Sequence, residues 1–378
     1  MMRRLIPILA GLLAASPVVA QAPVRIGLSA PLTGPDAAFG QGLRQGAEQA
    51  VADLNRAAGG RPRWVLVPAD DGGEARQAAA NARKFAADGV RLVVGPLESG
   101  AVAAAAPVYE EAGAVMVAPA AAYGPLTGRG LWNLFRLGPS DAQQGRAAGV
   151  YLAKAFAGRR VGILSDRSTF GRGLADAVAA RLKEAGTPEV LFDGFARGSR
   201  DLSDLVARLR AARLDAVYFG GLAPDAATLL RALRAAGLGT TLVASDGILD
   251  PSFAAAAGAD GDGTVMTLAP DPPRLPEPRG ARPAPRSPEA ESVAAGAYAA
   301  VELLTQATER ARAADPKTGR IADGRKVAEA LRAGPSRTLL GSVAFDARGD
   351  RSAAPIALRI WRRTADGRLD YAGNDVEP

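Results

Sequence analysis

Few residue types in this chain are equipped for covalent chemistry. It contains no Cys and no His, which removes thiol nucleophiles, disulfides, the commonest general base and the commonest metal ligand together. Two carboxylate pairs, Asp70-Asp71 and Glu110-Glu111, are adjacent in sequence. Adjacent side chains point to opposite faces of a strand and diverge on a helix, so neither pair is poised for acid–base work. The glycines of Phe39-Gly40-Gln-Gly42 and Phe170-Gly171-Arg-Gly173 lack the third glycine and the later acid of a dinucleotide fingerprint. No Gly-x-Ser-x-Gly elbow, P-loop or zinc signature occurs. The sequence therefore reads as a binding protein, not an enzyme, with no cofactor and no metal.

The elements that would position a binding site are legible as a rhythm. Short apolar runs at 24–30, 64–69, 90–94 and 114–118 read as strands. Helix-period segments at 41–58, 74–88 and 99–112 lie between and after them, the last with Pro107 inside. The alternation restarts after Gly138-Pro139-Ser140. Helices are expected at 141–156, 173–185, 202–212 and 225–236, and strands at 160–164, 190–192, 216–220 and 241–244. Such βαβ order implies parallel sheets covered on both faces by helices, and two blocks of it imply two sheets. The proline-rich stretch 270–288 reads as an irregular surface loop. Helices at 289–314 and 324–333 follow, then strand-like runs at 341–345 and 356–362.

Ligands of parallel α/β sheets collect at the carboxyl ends of the strands. In the first block those positions are 29–39, 95–99 and 119–123; in the second they are 166–170, 220–222 and 245–247. Two facing lobes with such rims make a cleft.

The N-terminus points to export. Met1-Met2-Arg3-Arg4 forms a basic start, residues 5–15 an apolar run, and Ser16-Pro17-Val18-Val19-Ala20 a small-residue cleavage site. That is a signal peptide, residues 1–20, cut after Ala20 and delivering the protein to the periplasm. The apolar run is too short to span a hydrocarbon core of ~30 Å. The formal charge of +7 falls by two when Arg3 and Arg4 leave. The remaining arginines are scattered, and only six Tyr and three Trp are present for base stacking, so nucleic acid is not an expected partner.

Several motifs carry a resemblance. Ile26-Gly-Leu-Ser-Ala-Pro-Leu-Thr-Gly-Pro35 with Phe39-Gly40, and Gly46-Ala-Glu-Gln-Ala-Val-Ala-Asp-Leu-Asn55, open it. Asp70-Asp71, Gly95-Pro-Leu-Glu-Ser99, Tyr109-Glu-Glu-Ala-Gly113, Ala216-Val-Tyr-Phe-Gly-Gly221 and Phe345-Asp-Ala-Arg-Gly-Asp350 continue it. In that order they resemble the branched-chain amino-acid binding proteins, a family of type I periplasmic binding proteins that serve ABC importers. The resemblance covers nearly the whole chain after the leader. It implies two doubly wound α/β lobes joined by a hinge, 24–141 plus 270–345 and 142–269 plus 346–378. It also implies a monomer that closes on a small ligand and docks on an inner-membrane ABC permease.

The resemblance also assigns site residues. Ser99 falls on the serine that holds the ligand carboxylate with the amides opening its helix, a sound place for an anion; it could equally be a plain N-cap. Asp246 falls on the acid that pairs with the ligand ammonium, or is a turn residue before Gly247. Phe39 and Phe170 fall on rings flanking the ligand, or pack their own loops. Ala120 and Ala121 match positions whose backbone faces the ligand. Tyr123 could reach the cleft or cover its loop. Ala122 stands where relatives often have a threonine, and Leu222 where they have an aromatic residue; both make the pocket more apolar. Gly73 and Glu98 stand where relatives often carry a cysteine pair, and Glu98 reads as a solvated rim carboxylate or as a residue that enters the pocket.

The expected function is uptake of an amino acid, aliphatic or aromatic, by hinge closure. Ala122 and Leu222 motivate an alternative, a non-amino-acid carboxylate or amide. A sensory ligand-binding module without import role is the third reading.

Overall fold

The computed structural model describes residues 22–59, 63–249, 251–271, 273–277, 287–352 and 356–377. The leader 1–20 and much of the proline-rich stretch lie outside the described residues. The first lobe opens with β1 (Val24–Ala30), α1 (Ala37–Ala57), β2 (Trp64–Asp70), α2 (Ala75–Ala87), β3 (Leu92–Val94), α3 (Ser99–Glu111), β4 (Val115–Ala118) and β5 (Leu134–Arg136). These strands form one parallel sheet in the order β2-β1-β3-β4-β5.

The chain then crosses to a second sheet through α4 (Asp141–Ala155), β6 (Val161–Ser165), α5 (Thr169–Glu184), β7 (Leu191–Gly194), α6 (Ser203–Ala212) and β8 (Ala216–Gly220). It continues through α7 (Ala223–Ala235), β9 (Thr241–Ala244), α8 (Pro251–Ala257) and β10 (Val265–Leu268). It returns to the first lobe for α9 (Pro288–Ala311), α10 (Arg325–Arg332) and a hairpin of β11 (Ser336–Thr338) and β12 (Gly341–Val343). A last crossing adds β13 (Ala357–Ile360) antiparallel to β10, then a short hairpin of β14 (Arg362–Arg363) and β15 (Leu369–Asp370). The second sheet runs β13-β10-β9-β8-β6-β7. The doubly wound α/β class is as the sequence implied.

Alternation along each strand explains the layering. In β3 and β4, Leu92, Val94, Val115 and Val117 face the core under α1 and α9, while Val93, Met116 and Ala118 face the core under α2 and α3. In β8, Val217 and Phe219 pack toward α6 and α7, and Ala216 and Tyr218 toward α4 and α5. Both faces are buried, as period-2 strands between two helical layers require. α1 lies along α9 because Gly42 and Gly46 leave room for the backbone of Ala290 and Ala294, where any Cβ would collide.

The structure adds β5, β10, β11, β15 and α8 to the expected elements. α1 begins at Ala37, not 41, and α5 at Thr169, not 173, which places Phe170 in its first turn.

The crossings are pinned together. Arg136, 2% exposed, ends β5 and pairs with Asp350 at 2.6 Å in the third crossing. Backbone bonds Arg136 N to Gly349 O (2.8 Å) and Arg351 N to Arg136 O (3.1 Å) continue the sheet there. Arg359 of β13 holds Asp271 of the second crossing with two bonds of 2.6 and 2.9 Å.

Candidate functional site

The carboxyl ends of the two sheets face each other, and their rims touch. A Cβ placed on Gly100, in the first turn of α3, would lie 3.7 Å from Thr169 Oγ1, in the first turn of α5. The Tyr123 ring of the first lobe packs on Gly173 of α5. Tyr123 also packs on its own lobe's core, which includes Ala101 and Met116, so both of its expected roles stay open.

On the first lobe, Ser99 is the first residue of α3 and 1% exposed. It is not the N-cap: Glu98 occupies that position without a side-chain capping bond. The Ser99 hydroxyl instead accepts from Tyr123 N at 3.2 Å, which leaves its own hydrogen to donate. The amides of Ser99, Gly100 and Ala101 precede the first bond of the helix, Val102 N to Glu98 O at 2.9 Å. An oxyanion placed there would meet these donors and the positive end of the helix dipole.

In the neighbouring loop the carbonyls of Ala122 and Tyr123 are already bonded. The Ala122 carbonyl accepts from Asp141 N at 2.7 Å and from Arg136 Nη1 at 2.9 Å. The Tyr123 carbonyl also takes Arg136 Nη1, at 2.8 Å. Ala121 and Ala122 are buried, whereas Ala120 is half-buried. Phe39 is half-buried in α1 against the first lobe's core.

On the second lobe, Asp246 opens a one-turn 3₁₀ helix, Asp246–Ile248, whose Ser245 cap receives Gly247 N. Gln144 of α4 donates to Asp246 Oδ1 at 3.3 Å and accepts from Thr267 Oγ1 at 2.9 Å. Burial pushes the Asp246 carboxyl up to about 6. The Phe170 ring lies over Gly247, 3.2 Å from where a Cβ would stand, and so beside Asp246. Leu222 caps the start of α7, half-buried. Gly171 brings α5 against Asp166 and the Gly220 carbonyl so closely that no side chain fits there.

A cross-cleft ion cluster escaped the sequence reading. Arg197, in the loop after β7, pairs with Asp166 at 3.2 Å and reaches Asp36 of the first lobe at 4.0 Å. Glu98 is part of it and is no solvated rim residue: burial, and then the Asp36 charge, push its carboxyl up to about 7. Gly73 adjoins the same cluster, with a Cβ site 3.6 Å from Glu98 Cγ. No signal in the sequence links Arg197 to Asp36. Asp166 was signalled only as the first residue of the rim segment 166–170. Asp141, Gln144 and Tyr218 were also missed, because only the packing of α4 on the second sheet brings them beneath Asp246. Among the described residues, no group of three or more His, Cys, Asp or Glu side chains could hold a metal ion.

Comparison with known proteins follows this geometry. A family model described as periplasmic binding protein matches residues 23–367. The chain belongs to the periplasmic binding protein family. Within it, the chain is 37% identical over 356 residues to Leu/Ile/Val-binding protein homolog 2 of Brucella abortus, covering 93% of each. The resemblance to branched-chain amino-acid binding proteins is thereby borne out. Among solved structures, this periplasmic binding protein superposes on a Bordetella pertussis periplasmic binding protein type 1 with TM-score 0.78 and 25% identity, covering 92% of this chain and 100% of that one. It also superposes on a Desulfitobacterium hafniense ABC transporter substrate-binding protein in complex with Leu, TM-score 0.69 and 26% identity, covering 92% and 99%.

Proposed function

We propose that this protein is the periplasmic substrate-binding component of an ABC importer and binds an amino acid with an aliphatic or aromatic side chain between its lobes. The observation that supports the reading is that one rim carries the Ser99 hydroxyl among the amides opening α3, while the other sheet's end carries the Asp246 carboxyl. A donor-rich end and an acid match a zwitterion, whose carboxylate and ammonium lie at opposite edges of one carbon. Relatives named for Leu, Ile and Val support the aliphatic choice.

Closure is a population shift: a ligand that touches both rims stabilises the closed state by its differential affinity. The closed monomer then docks on an inner-membrane permease, and no chemistry is performed on the ligand. Export removes residues 1–20, so that the periplasmic form begins at Gln21.

One observation favours a second reading. At position 122 the side chain is a methyl group and the carbonyl is already committed to Arg136 and Asp141, which favours a carboxylate ligand without an ammonium. A thermal-shift screen separates the two. At a hundredfold excess over Kd, a ligand of the native state adds about 2.7 kcal/mol of stability. Leucine, isoleucine or valine should raise the melting temperature. A shift with organic acids and none with amino acids would establish the second reading instead.

A further inference from the structure

Two buried polar atoms beneath the cleft have no hydrogen-bond partner, Asp141 Oδ1 and the Tyr218 hydroxyl. Their residues are 2% and 0% exposed. Buried polar groups are nearly always partnered, so two orphans in one place call for an occupant. Asp141 is held by its other oxygen, which accepts from Gly124 N at 3.1 Å, so the carboxylate is fixed while Oδ1 stays unused. Gln144 lies three residues further along α4, on the same face, and its amide bonds Asp246. The α4 face therefore brings Asp141 and Asp246 to one region, and each raises the carboxyl or hydroxyl groups around it by its charge.

The nearest cation is already committed. Arg136 acts on Asp141 but spends its guanidinium on Asp350, Thr127 and the carbonyls of Ala122 and Tyr123. What this region lacks is a positive group with several N–H donors. Resting on the amino-acid reading of the cleft, we propose that Asp141 and the Tyr218 hydroxyl complete, with Asp246, a cradle of three acceptors for the three N–H bonds of the ligand's ammonium. The phenol suits the place, because it accepts from the ammonium while donating its own hydrogen to a carboxylate.

The test is calorimetric titration of wild type, Asp246→Asn, Asp141→Asn and Tyr218→Phe with two probes. One is L-leucine. The other is 2-hydroxy-4-methylpentanoate, which keeps the carboxylate and isobutyl group and replaces the ammonium by a hydroxyl. Tyr218→Phe and Asp141→Asn should each weaken leucine tenfold or more and change the hydroxy acid less than threefold. Tyr218→Phe keeps the ring, so it decides the matter should Asp141→Asn fail to fold. Equal weakening of both probes would show a merely structural role and overturn the cradle. So would unchanged leucine binding in Tyr218→Phe while Asp246→Asn binds poorly. If Asp246→Asn itself leaves leucine binding intact, the amino-acid reading falls, and the cradle with it.

Discussion

In the recognition scheme proposed above, Ser99 and Asp246 hold the two ends of the ligand, and each role has a distinct signature. A hydrogen bond to a charged group contributes on the order of 1.5–3 kcal/mol, so Ser99→Ala should weaken an amino acid about tenfold to a hundredfold, read by calorimetry. Asp246 titrates, and the sign follows from its charge. Only its ionised form pairs with an ammonium, and burial sets that ionisation at about 6. Affinity should be full above that pH and fall as pH drops through it, approaching tenfold per unit. In Asp246→Asn the part of this dependence centred near 6 should vanish and leave that of Asp141, whose carboxyl burial pushes up to about 7; an unchanged profile would assign the dependence to another group. Both residues were legible because they stand at strand and helix ends, where motif and geometry coincide. Gln144, Tyr218 and Arg197 were not, since their roles depend on which helix face meets which sheet.

Close helix approach decides stability at the scale of elements. Gly46 lets α1 settle on the backbone of Ala294 in α9. Gly46→Val should force the helices apart at a cost of about 1–3 kcal/mol, lowering the melting temperature by several degrees. An unchanged melting temperature would mean that α9 yields there at no cost. The strands that read clearly from sequence are β1, β8 and β9, apolar runs with no charge at their ends. β5 was invisible because it ends in Arg136, a buried charge that Asp350, Thr127 and the Ala122 and Tyr123 carbonyls together accommodate. β10 is no shorter than β9, but its run is interrupted by Thr267, whose hydroxyl is bonded to Gln144.

At the scale of the whole molecule, Arg197 bridges the rims of the two sheets. Its guanidinium is the cation that Asp36, Glu98 and Asp166 share between the lobes. Arg197→Ala leaves three carboxylates facing one another, so the ligand-free lobes should separate and ligand affinity should fall. Small-angle scattering would show the larger radius, and an unchanged radius and affinity would deny the strap a role. The claim that organises all of this is that a zwitterionic ligand is clamped between the lobes with its ammonium on Asp246. Its most direct test is calorimetric titration of wild type and Asp246→Asn with L-leucine near pH 7.5. Removing one partner of a desolvated charge pair costs about 2–5 kcal/mol, so the account predicts one-to-one binding that weakens about thirtyfold or more in the variant. Equal dissociation constants for the two proteins, or no binding by wild type, would contradict it.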